Sequence, residues 1–257
     1  MNDHTTFISR IHAYIRSART TRRGALVRPG EARTGVHKEY PRMPRIALPA
    51  PAALTLTLGE ALRQRTSCSE CSSDRAFSPN ELGTLLGSAL GMRDAVRRHY
   101  PSGGALYPIE TYLIGNVLID RPSGIFHYHP KAHALEFLWE TPATFSMTDI
   151  LRAPYLPPAP SLVVFTSVWS RSSIKYGDFA YSHGLIETGH MAENILLAAT
   201  ALRIGARPVS GCDDRTIIEL LDLDEQIEQP VYSVLLCPPQ DKQIPEKEER
   251  ERENFFE

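Results

Sequence analysis

The fold of this chain is decided around the segment Pro101-Ser102-Gly103-Gly104-Ala105-Leu106-Tyr107-Pro108. Its two adjacent glycines allow backbone N–H groups to converge on a bound anion or on the edge of a ring, because no side chain intervenes. An apolar run at 111–117 follows and predicts a strand. The segment matches neither a dinucleotide-binding fingerprint nor a P-loop. Since Ser-Gly-Gly is also an ordinary turn, both a ligand cradle and a plain turn stay open.

The composition is that of an ordinary globular protein. Hydrophobic residues make up 42% and charged residues 23% of the 257 residues, which fits one large domain with or without arms. The formal charge of −2 gives no reason to expect a nucleic-acid partner. No run of about 18 apolar residues predicts a membrane span, and the first residues lack the order of a secretory signal. We therefore expect a cytoplasmic protein with no nucleic-acid and no membrane partner.

Hydrophobic periodicity predicts a mixture of strands and helices. Strands are predicted at 111–117, 162–168 and 231–236, together with a hairpin that joins 125–128 to 134–138. Helices are predicted at 7–15, 54–65, 180–203 and 215–221, and another begins at the capping box of Ser78 and Glu81 and ends at Gly91. Residues 44–51 are expected to form an extended linker. This order favours the α+β class, with helices packed on a sheet.

Three further segments carry residue types that suit chemistry. Arg65 and Ser67 form either a compact oxyanion grip or a helix end with exposed charge. Residues 208–213 form a turn whose glycine can lay an N–H against a flat ring. Lys175 beside Tyr176 suits general acid–base catalysis, although most such pairs are surface residues. The nine histidines show no metal-binding spacing, so no metal is expected.

The cysteines favour a structural interpretation. Cys68 and Cys71 form one C-x-x-C in a polar loop, and no second pair follows that would complete a zinc site. Two loop cysteines are therefore favoured over a functional thiol pair. Four cysteines in 257 residues are also too few for a disulfide scaffold.

Five segments taken together resemble the SagB-type dehydrogenases of the nitroreductase superfamily. These are FMN-dependent enzymes that include the azoline dehydrogenases of thiazole- and oxazole-containing peptide biosynthesis. The resemblance runs from about residue 58 to residue 236. It rests on 101–112 (PSGGALYPIETY), 124–128 (GIFHY), 175–177 (KYG), 187–194 (ETGHMAEN) and 205–214 (GARPVSGCDD).

The resemblance implies a nitroreductase-like fold: a central, mostly antiparallel sheet flanked by helices, in an intertwined homodimer with FMN at the subunit interface. It implies that Lys175 and Tyr176 are the catalytic pair. It also implies a set of FMN contacts: Arg65 and Ser67 at the phosphate, Ser102, Gly103 and Ala105 along the flavin, and Val209, Ser210 and Gly211 close to the ring. Arg75 is a further expected contact, although about six residues are inserted before it. Glu193 and Cys212 replace a family glutamine and a usual aromatic residue.

These inferences give one division of the chain and three functional hypotheses. The first division is a basic arm and linker at 1–50, whose residues 1–47 contain nine Arg and one Lys. An FMN domain follows at 51–240 and a charged tail at 241–257. We expect dehydrogenation of an azoline, or of a related C–N or C–C bond, on a peptide or small-molecule substrate, by a homodimer with biosynthetic partner enzymes. The alternatives are an NAD(P)H-dependent nitro- or quinone reductase and a non-catalytic scaffold subunit of a biosynthetic complex.

Overall fold

The structure is a computed structural model that describes residues 3–21, 37–71, 75–152, 156 and 159–239. The predicted tail at 241–257 lies outside the described residues. The helices are α1 (Asp3–Thr21), α2 (Leu58–Gln64), α3 (Pro79–Leu90), α4 (Met147–Ile150), α5 (Ser170–Tyr176), α6 (Ala180–Ala201) and α7 (Asp214–Leu221). The strands are β1 (Arg45–Ala47), β2 (Ile109–Gly115), β3 (Gly124–His129), β4 (Ala134–Glu140), β5 (Ser161–Val168), β6 (Gly205–Val209) and β7 (Glu228–Cys237).

The seven strands form one antiparallel sheet in the order β1-β4-β3-β2-β5-β7-β6. Strands β2 and β5 lie at its centre, and their residues are buried throughout. This arrangement confirms the predicted α+β class with a central antiparallel sheet flanked by helices. The predicted strands at 111–117, 162–168 and 231–236 and the predicted hairpin are also confirmed, with small shifts at their ends.

Side chains alternate between the two faces of the sheet and build two apolar clusters. On one face Leu113 and Phe165 pack with α3 and α6, in the cluster that contains Leu85 and Ile195. On the other face Ile114, Leu162 and Val164 pack with residues of α7. The sheet is therefore covered on both faces, which explains why its central strands are continuous apolar runs.

The helix caps act as the sequence predicts. Ser78 and Glu81 form a reciprocal capping box at the start of α3, and Gly91 ends the helix. Asp213 caps α7 by accepting a hydrogen bond from Thr216 N. The helix predicted at 54–65 begins only at Leu58, because Thr57 forms a capping box with Glu60.

Three elements differ from the sequence predictions. Residues 45–47, expected in an extended linker, form edge strand β1, which pairs with β4. Gly205–Val209, part of which is expected to be a turn, is edge strand β6, where Pro208 is tolerated because one side of an edge strand needs no ladder bond. Lys175 and Tyr176, expected simply to precede α6, lie on the separate helix α5.

Helix α1 packs against the short turn between α5 and α6, where Tyr14 donates a hydrogen bond to Asp178 (2.7 Å). The helix predicted at 7–15 is thus confirmed, and it is longer than predicted. Its apolar residues Phe7, Ile8 and Ile11 are nevertheless exposed. Their stripe is therefore not buried against the described part of this chain.

Cys71 is joined by a disulfide to Cys237 at the end of β7. The expectation that Cys71 is an ordinary loop cysteine is therefore wrong. Cys68 is a free thiol. It lies close to the disulfide, since a Cβ placed on Gly205 would be 3.4 Å from Cys68 Cβ and 3.0 Å from Cys237 Cβ. The bonded residues are 166 positions apart, so local sequence could not reveal the pair.

We predict that Ile114→Ala lowers the free energy of unfolding by about 2–5 kcal/mol, because Ile114 is fully buried at the sheet centre and its removal leaves a cavity. Urea denaturation followed by circular dichroism measures this. The matched control is Ile227→Ala, since Ile227 is exposed in the turn before β7; its effect should stay within about 0.5 kcal/mol. Equal losses in both variants would contradict the described core.

Candidate active site

The Pro101–Pro108 segment is a strained turn held by Ser102. Gly104, Ala105 and Tyr107 all have positive φ angles (66°, 55° and 46°), which cost energy for the two residues that carry a side chain. Ser102 Oγ accepts a hydrogen bond from Tyr107 N (2.9 Å), and Ser102 O accepts one from Ala105 N (3.0 Å). The serine therefore fixes the turn from inside, in addition to any contact with a ligand.

Lys175 and Tyr176 lie against this turn. A Cβ placed on Gly104 would come within 2.8 Å of both Lys175 Nζ and Tyr176 Oη, so a side chain at this position would displace these two groups. The Tyr176 ring meets the His183 ring edge-on, at 4.4 Å between centroids, and His183 in turn approaches Gly103. The structure thus brings together the predicted catalytic pair and the predicted flavin-lining segment, and adds His183 to them.

Glu187 on α6 is a site residue that sequence reasoning missed. Only 2% of it is exposed, and its Oε2 accepts a hydrogen bond of 2.5 Å from Ser102 Oγ. Its other oxygen, Oε1, is buried without a hydrogen-bond partner among the described residues. Burial raises the pKa of Glu187 to about 7, against the opposing effects of the Ser102 hydrogen bond, Arg98 and Arg171. One signal in the sequence was available: Glu187 is a carboxylate on the otherwise uncharged buried face of α6.

Arg98 supports the turn through contacts with Tyr100 and Tyr107. It is buried, and its guanidinium donates to Tyr100 Oη (2.7 Å) and lies over the Tyr107 ring at 4.7 Å. Its backbone N donates to Tyr107 Oη (3.0 Å). Arg98 is therefore committed to holding the tyrosines of the segment.

Arg171, at the start of α5, joins three elements. Its Nη1 lies 2.5 Å from Glu110 Oε1 on β2 and donates to Tyr107 O (3.1 Å) in the turn. Glu110 also contacts His127, which lies between Glu110 (3.0 Å) and Glu136 (2.9 Å). The ion pair therefore fixes the helix that carries Lys175 and Tyr176 on both the sheet and the turn.

The buried charges of this network stabilise one another. Burial by itself would raise the pKa of Glu110, but the hydrogen bond to His127 and the charges of Arg171 and Arg98 hold it well below its usual range. Burial by itself would lower the pKa of His127, whereas its two carboxylate partners raise it. Both ring nitrogens of His127 face carboxylate oxygens, which is the arrangement that suits an imidazolium.

The predicted phosphate contacts lie elsewhere, beside β6. The loop after Ser67 is fastened to that strand, because Cys68 N donates to Ala206 O (3.1 Å) and Arg207 Nη1 donates to Cys68 O (3.0 Å). Arg65 is the C-cap of α2, and both Arg65 and Ser67 are half-buried. Sequence reasoning did not single out Arg207, although it stands in the matched segment 205–214.

The predicted ring contacts continue from the same strand. Val209 ends β6 and is buried, while Ser210 and Gly211 follow it and are exposed. Gly211 O accepts a hydrogen bond from Arg152 N (3.0 Å), which fixes this loop against the end of α4. Ser67 adjoins β6 through its neighbour Cys68, and 209–211 continue from the end of the same strand. We call Arg65, Ser67 and 209–211 the β6 group.

Arg75 has other partners. Its guanidinium donates twice to Glu81 (3.0 and 2.8 Å) and once to Pro239 O (3.2 Å). Contact of Arg75 with FMN stays a prediction. Between residues that the structure describes, no hydrogen bond joins the β6 group to the turn group of Ser102, Lys175, Tyr176 and Glu187.

One cluster within the described ranges has the residue types of a metal site: His37, Glu39 and His129. Ala132 N donates to His129 Nδ1 (3.0 Å), and burial lowers the pKa of His129. A neutral histidine that accepts at Nδ1 carries its proton on Nε2, the atom that faces Glu39 at 3.4 Å. That nitrogen has no lone pair for a metal, so the cluster is better described as hydrogen-bonded than as a metal centre.

Comparison with known proteins gives a family. The model described as "Nitroreductase family" matches residues 62–236. A protein of Methanocaldococcus jannaschii named as a nitroreductase is 28% identical over 186 residues, covering 71% of this chain and 90% of its own length. The microcin B17-processing protein McbC of Escherichia coli is 29% identical over 147 residues, which is 53% of each chain. This chain thus matches about half the length of McbC.

A solved structure shows the same fold. The E. coli microcin synthetase McbBCD complex, with truncated pro-MccB17 bound, contains a chain that superposes with a TM-score of 0.60 and 24% identity, covering 89% of this chain and 82% of that one. The predicted nitroreductase-like fold of the chain is therefore confirmed, and the homodimer stays a prediction. Among the helices of the described residues, none is both long and apolar enough to cross a membrane.

We predict that Glu187 makes the protein less stable as pH rises through neutrality. Its folded-state pKa of about 7 lies above the usual glutamate value of 4.5, so the folded state holds an extra proton between these two pH values. Stability that is fully present below about pH 4.5 is lost as pH rises through 7, by up to about 3 kcal/mol. Urea denaturation of wild type and Glu187→Gln at pH 5, 6, 7 and 8 measures it as the difference between the two.

The control for this series is Glu193→Gln, because Glu193 is exposed on the same helix. The Glu193→Gln protein should follow the wild type at each pH. If the difference between wild type and Glu187→Gln stays constant from pH 5 to 8, Glu187 does not titrate in this range.

Proposed function

The chain belongs to the nitroreductase family, and on this basis we propose that it is an FMN-dependent oxidoreductase that dehydrogenates an azoline, or a related C–N or C–C bond, of a peptide or natural product. The observation that carries the proposal is the convergence of Lys175 Nζ and Tyr176 Oη on Gly104. Two proton-transfer groups lie there against a turn whose glycines leave its backbone open.

The residues present fit a flavin phosphate and ring. Arg65 and Ser67 supply a guanidinium and a hydroxyl beside β6, which are the donors that a phosphate prefers. Ser102, Gly103 and Ala105 offer a hydroxyl and a backbone edge with little side-chain bulk. The buried Oε1 of Glu187, without a partner among the described residues, indicates that a polar group is missing on this side. Val209, Ser210 and Gly211 would approach the ring from the β6 group.

The division into two groups supports a homodimer. Because the β6 group and the turn group are not joined within the described chain, we propose that one subunit supplies the phosphate contacts and its partner supplies the Ser102 turn. Three exposed apolar residues on α6 could be buried in such an interface: Tyr181, Leu185 and Ile186. This assignment of FMN to a subunit interface follows the resemblance of the sequence.

The chemistry assigned to this chain is movement of a proton. Dehydrogenation of an azoline removes one proton and one hydride, and FMN, when bound, would supply the hydride acceptor. Lys175 or Tyr176 takes the proton from the carbon next to the azoline carbonyl, and the Arg171 ion pair holds their helix in place. His183 packs against the Tyr176 ring and limits its rotation.

The peptide substrate is supported by one relative. McbC is named for processing microcin B17, and it matches this chain over 53% of its residues. We extend that chemistry here to a peptide that carries a thiazoline or an oxazoline, delivered by partner enzymes of the same pathway. A nitro- or quinone reductase with a nicotinamide donor is the second candidate, because the M. jannaschii relative is named as a nitroreductase.

We predict that Arg65→Ala weakens FMN binding by roughly tenfold to hundredfold, because hydrogen bonds to charged groups contribute about 1.5–3 kcal/mol. Fluorescence quenching of FMN measures the dissociation constant. Binding of riboflavin, which lacks the phosphate, should change little. The control is Arg63→Ala, since Arg63 is exposed on the same helix. Equal weakening of FMN and riboflavin would show that Arg65 does not contact the phosphate.

We predict that Lys175→Ala and Tyr176→Phe bind FMN normally but oxidise a thiazoline-containing peptide about 10²- to 10⁴-fold more slowly, since they lose the proton acceptor. Stopped-flow spectroscopy of the flavin under anaerobic conditions measures its reduction. Lys131→Ala, at an exposed lysine in the β3–β4 turn, should keep full activity. Full turnover in Lys175→Ala would remove Lys175 as the base. Rapid bleaching by NADPH with no reduction by the peptide would favour the reductase.

A further inference from the structure

The buried Glu187 forms a hydrogen-bonded pair with Ser102, a half-buried residue of the turn proposed to hold the flavin. Ser102 Oγ stands between two partners: it accepts from Tyr107 N (2.9 Å) and lies 2.5 Å from Glu187 Oε2. A serine hydroxyl has one proton and two lone pairs. The hydrogen bond from Tyr107 N occupies one lone pair. The protonation state of the Glu187 carboxyl then determines whether Ser102 donates its proton to Glu187 or accepts a hydrogen bond from it.

Among the described residues, no arginine donates a hydrogen bond to the Glu187 carboxyl. The charged or titratable groups that act on Glu187 are Arg98 and Tyr100 from the segment before β2, and Arg171 from α5. Arg98 donates to Tyr100 and Arg171 to Tyr107 O, so between described residues both arginines act on Glu187 only through space. His183, one turn earlier on α6, lies against Gly103. Burial raises the pKa of Glu187 to about 7, so both of its protonation states are populated near neutral pH.

The two states turn the serine hydroxyl in different directions. When Glu187 is ionised it can only accept, so Ser102 donates its proton to the carboxylate. When Glu187 is protonated it can donate to Ser102 Oγ, and the serine proton is then directed away from Glu187. The hydroxyl becomes available to an acceptor on the ligand side of the turn only in the second state.

We propose that Glu187 is a positioning residue that determines, through its own protonation, whether the Ser102 hydroxyl donates to the protein or to the bound flavin. The inference rests on the proposed function, because it requires a flavin at the Ser102–Ala105 turn. It does not require any particular substrate or redox partner. Glu187 acts through Ser102, without touching the reacting atoms.

The test is the affinity for FMN between pH 5.5 and 8.5, measured by fluorescence quenching. Wild-type protein should bind FMN roughly three- to tenfold more weakly at pH 8.5 than at pH 5.5, relative to Glu187→Gln, because one hydrogen bond is lost. Glu187→Gln keeps a neutral donor toward Ser102 and should not show this additional weakening at high pH. Titration of the FMN phosphate, near pH 6, is common to both proteins and cancels in the comparison.

A double-mutant cycle identifies Ser102 as the intermediary. In a Ser102→Ala background, Glu187→Gln should no longer change the pH dependence, since no hydroxyl remains to be turned. Glu225→Gln, at an exposed position in the turn before β7, should behave as wild type. An effect of Glu187→Gln that persists without Ser102 would show that Glu187 acts directly or only structurally, and would overturn the proposal.

Two failures are distinguishable. If wild-type protein binds FMN but its pH dependence equals that of Glu187→Gln, the role of Glu187 is wrong and the flavin site stands. If wild-type protein binds no FMN at any pH, the proposed function is wrong, and the inference falls with it.

Discussion

The ion pair between Arg171 and Glu110 is the constraint on which the site depends. A buried carboxylate is tolerated only where opposite charge and hydrogen bonds compensate for lost hydration. Glu110 obtains them from Arg171 and His127, and His127 obtains its second partner from Glu136. Because Arg171 also holds Tyr107 O, the requirement to neutralise one carboxylate places α5, β2 and the Ser102 turn in a fixed relation. This arrangement fixes the position of Lys175 and Tyr176, because both residues lie on α5.

The site divides labour between rigid and adjustable groups. Arg98, Arg171 and Glu110 are tied to fixed partners and hold the frame. Glu187 is as deeply buried as Glu110, but no arginine among the described residues donates a hydrogen bond to it. Its protonation state can therefore change with pH. The difference lies in the partners of the two arginines. Arg98 and Arg171 bind groups of the turn and of β2, whereas Glu187 on α6 is hydrogen-bonded to a neutral serine, Ser102.

Much of the fold could be predicted from local sequence, and the missing parts have physical reasons. Strands β2, β5 and β7 are apolar runs, and the caps at Ser78 and Asp213 are short-range signals. Strand β1 has only three residues, which is too short for a recognisable pattern, and β6 contains glycine and proline. Neither segment therefore resembles a strand in the sequence, and β4 and β7 define them by pairing with them. In the site, the convergence of Lys175 on Gly104 agrees with the family resemblance. Arg171 and the Cys71–Cys237 bond depend on tertiary contacts that no local pattern encodes. For Glu187 the local signal was only its carboxylate on the otherwise uncharged buried face of α6.

The Cys71–Cys237 bond turns the chain into a closed ring with two tails. The ring contains the Ser102 turn, Lys175, α6 and every strand except β1. Arg65 and Ser67 lie on the amino-terminal tail, six and four residues from the point of closure. The proposed phosphate contacts are therefore tethered to the disulfide-closed ring by a short stretch of chain. Their distance from Val209 and Gly211 is limited by covalent structure as well as by packing.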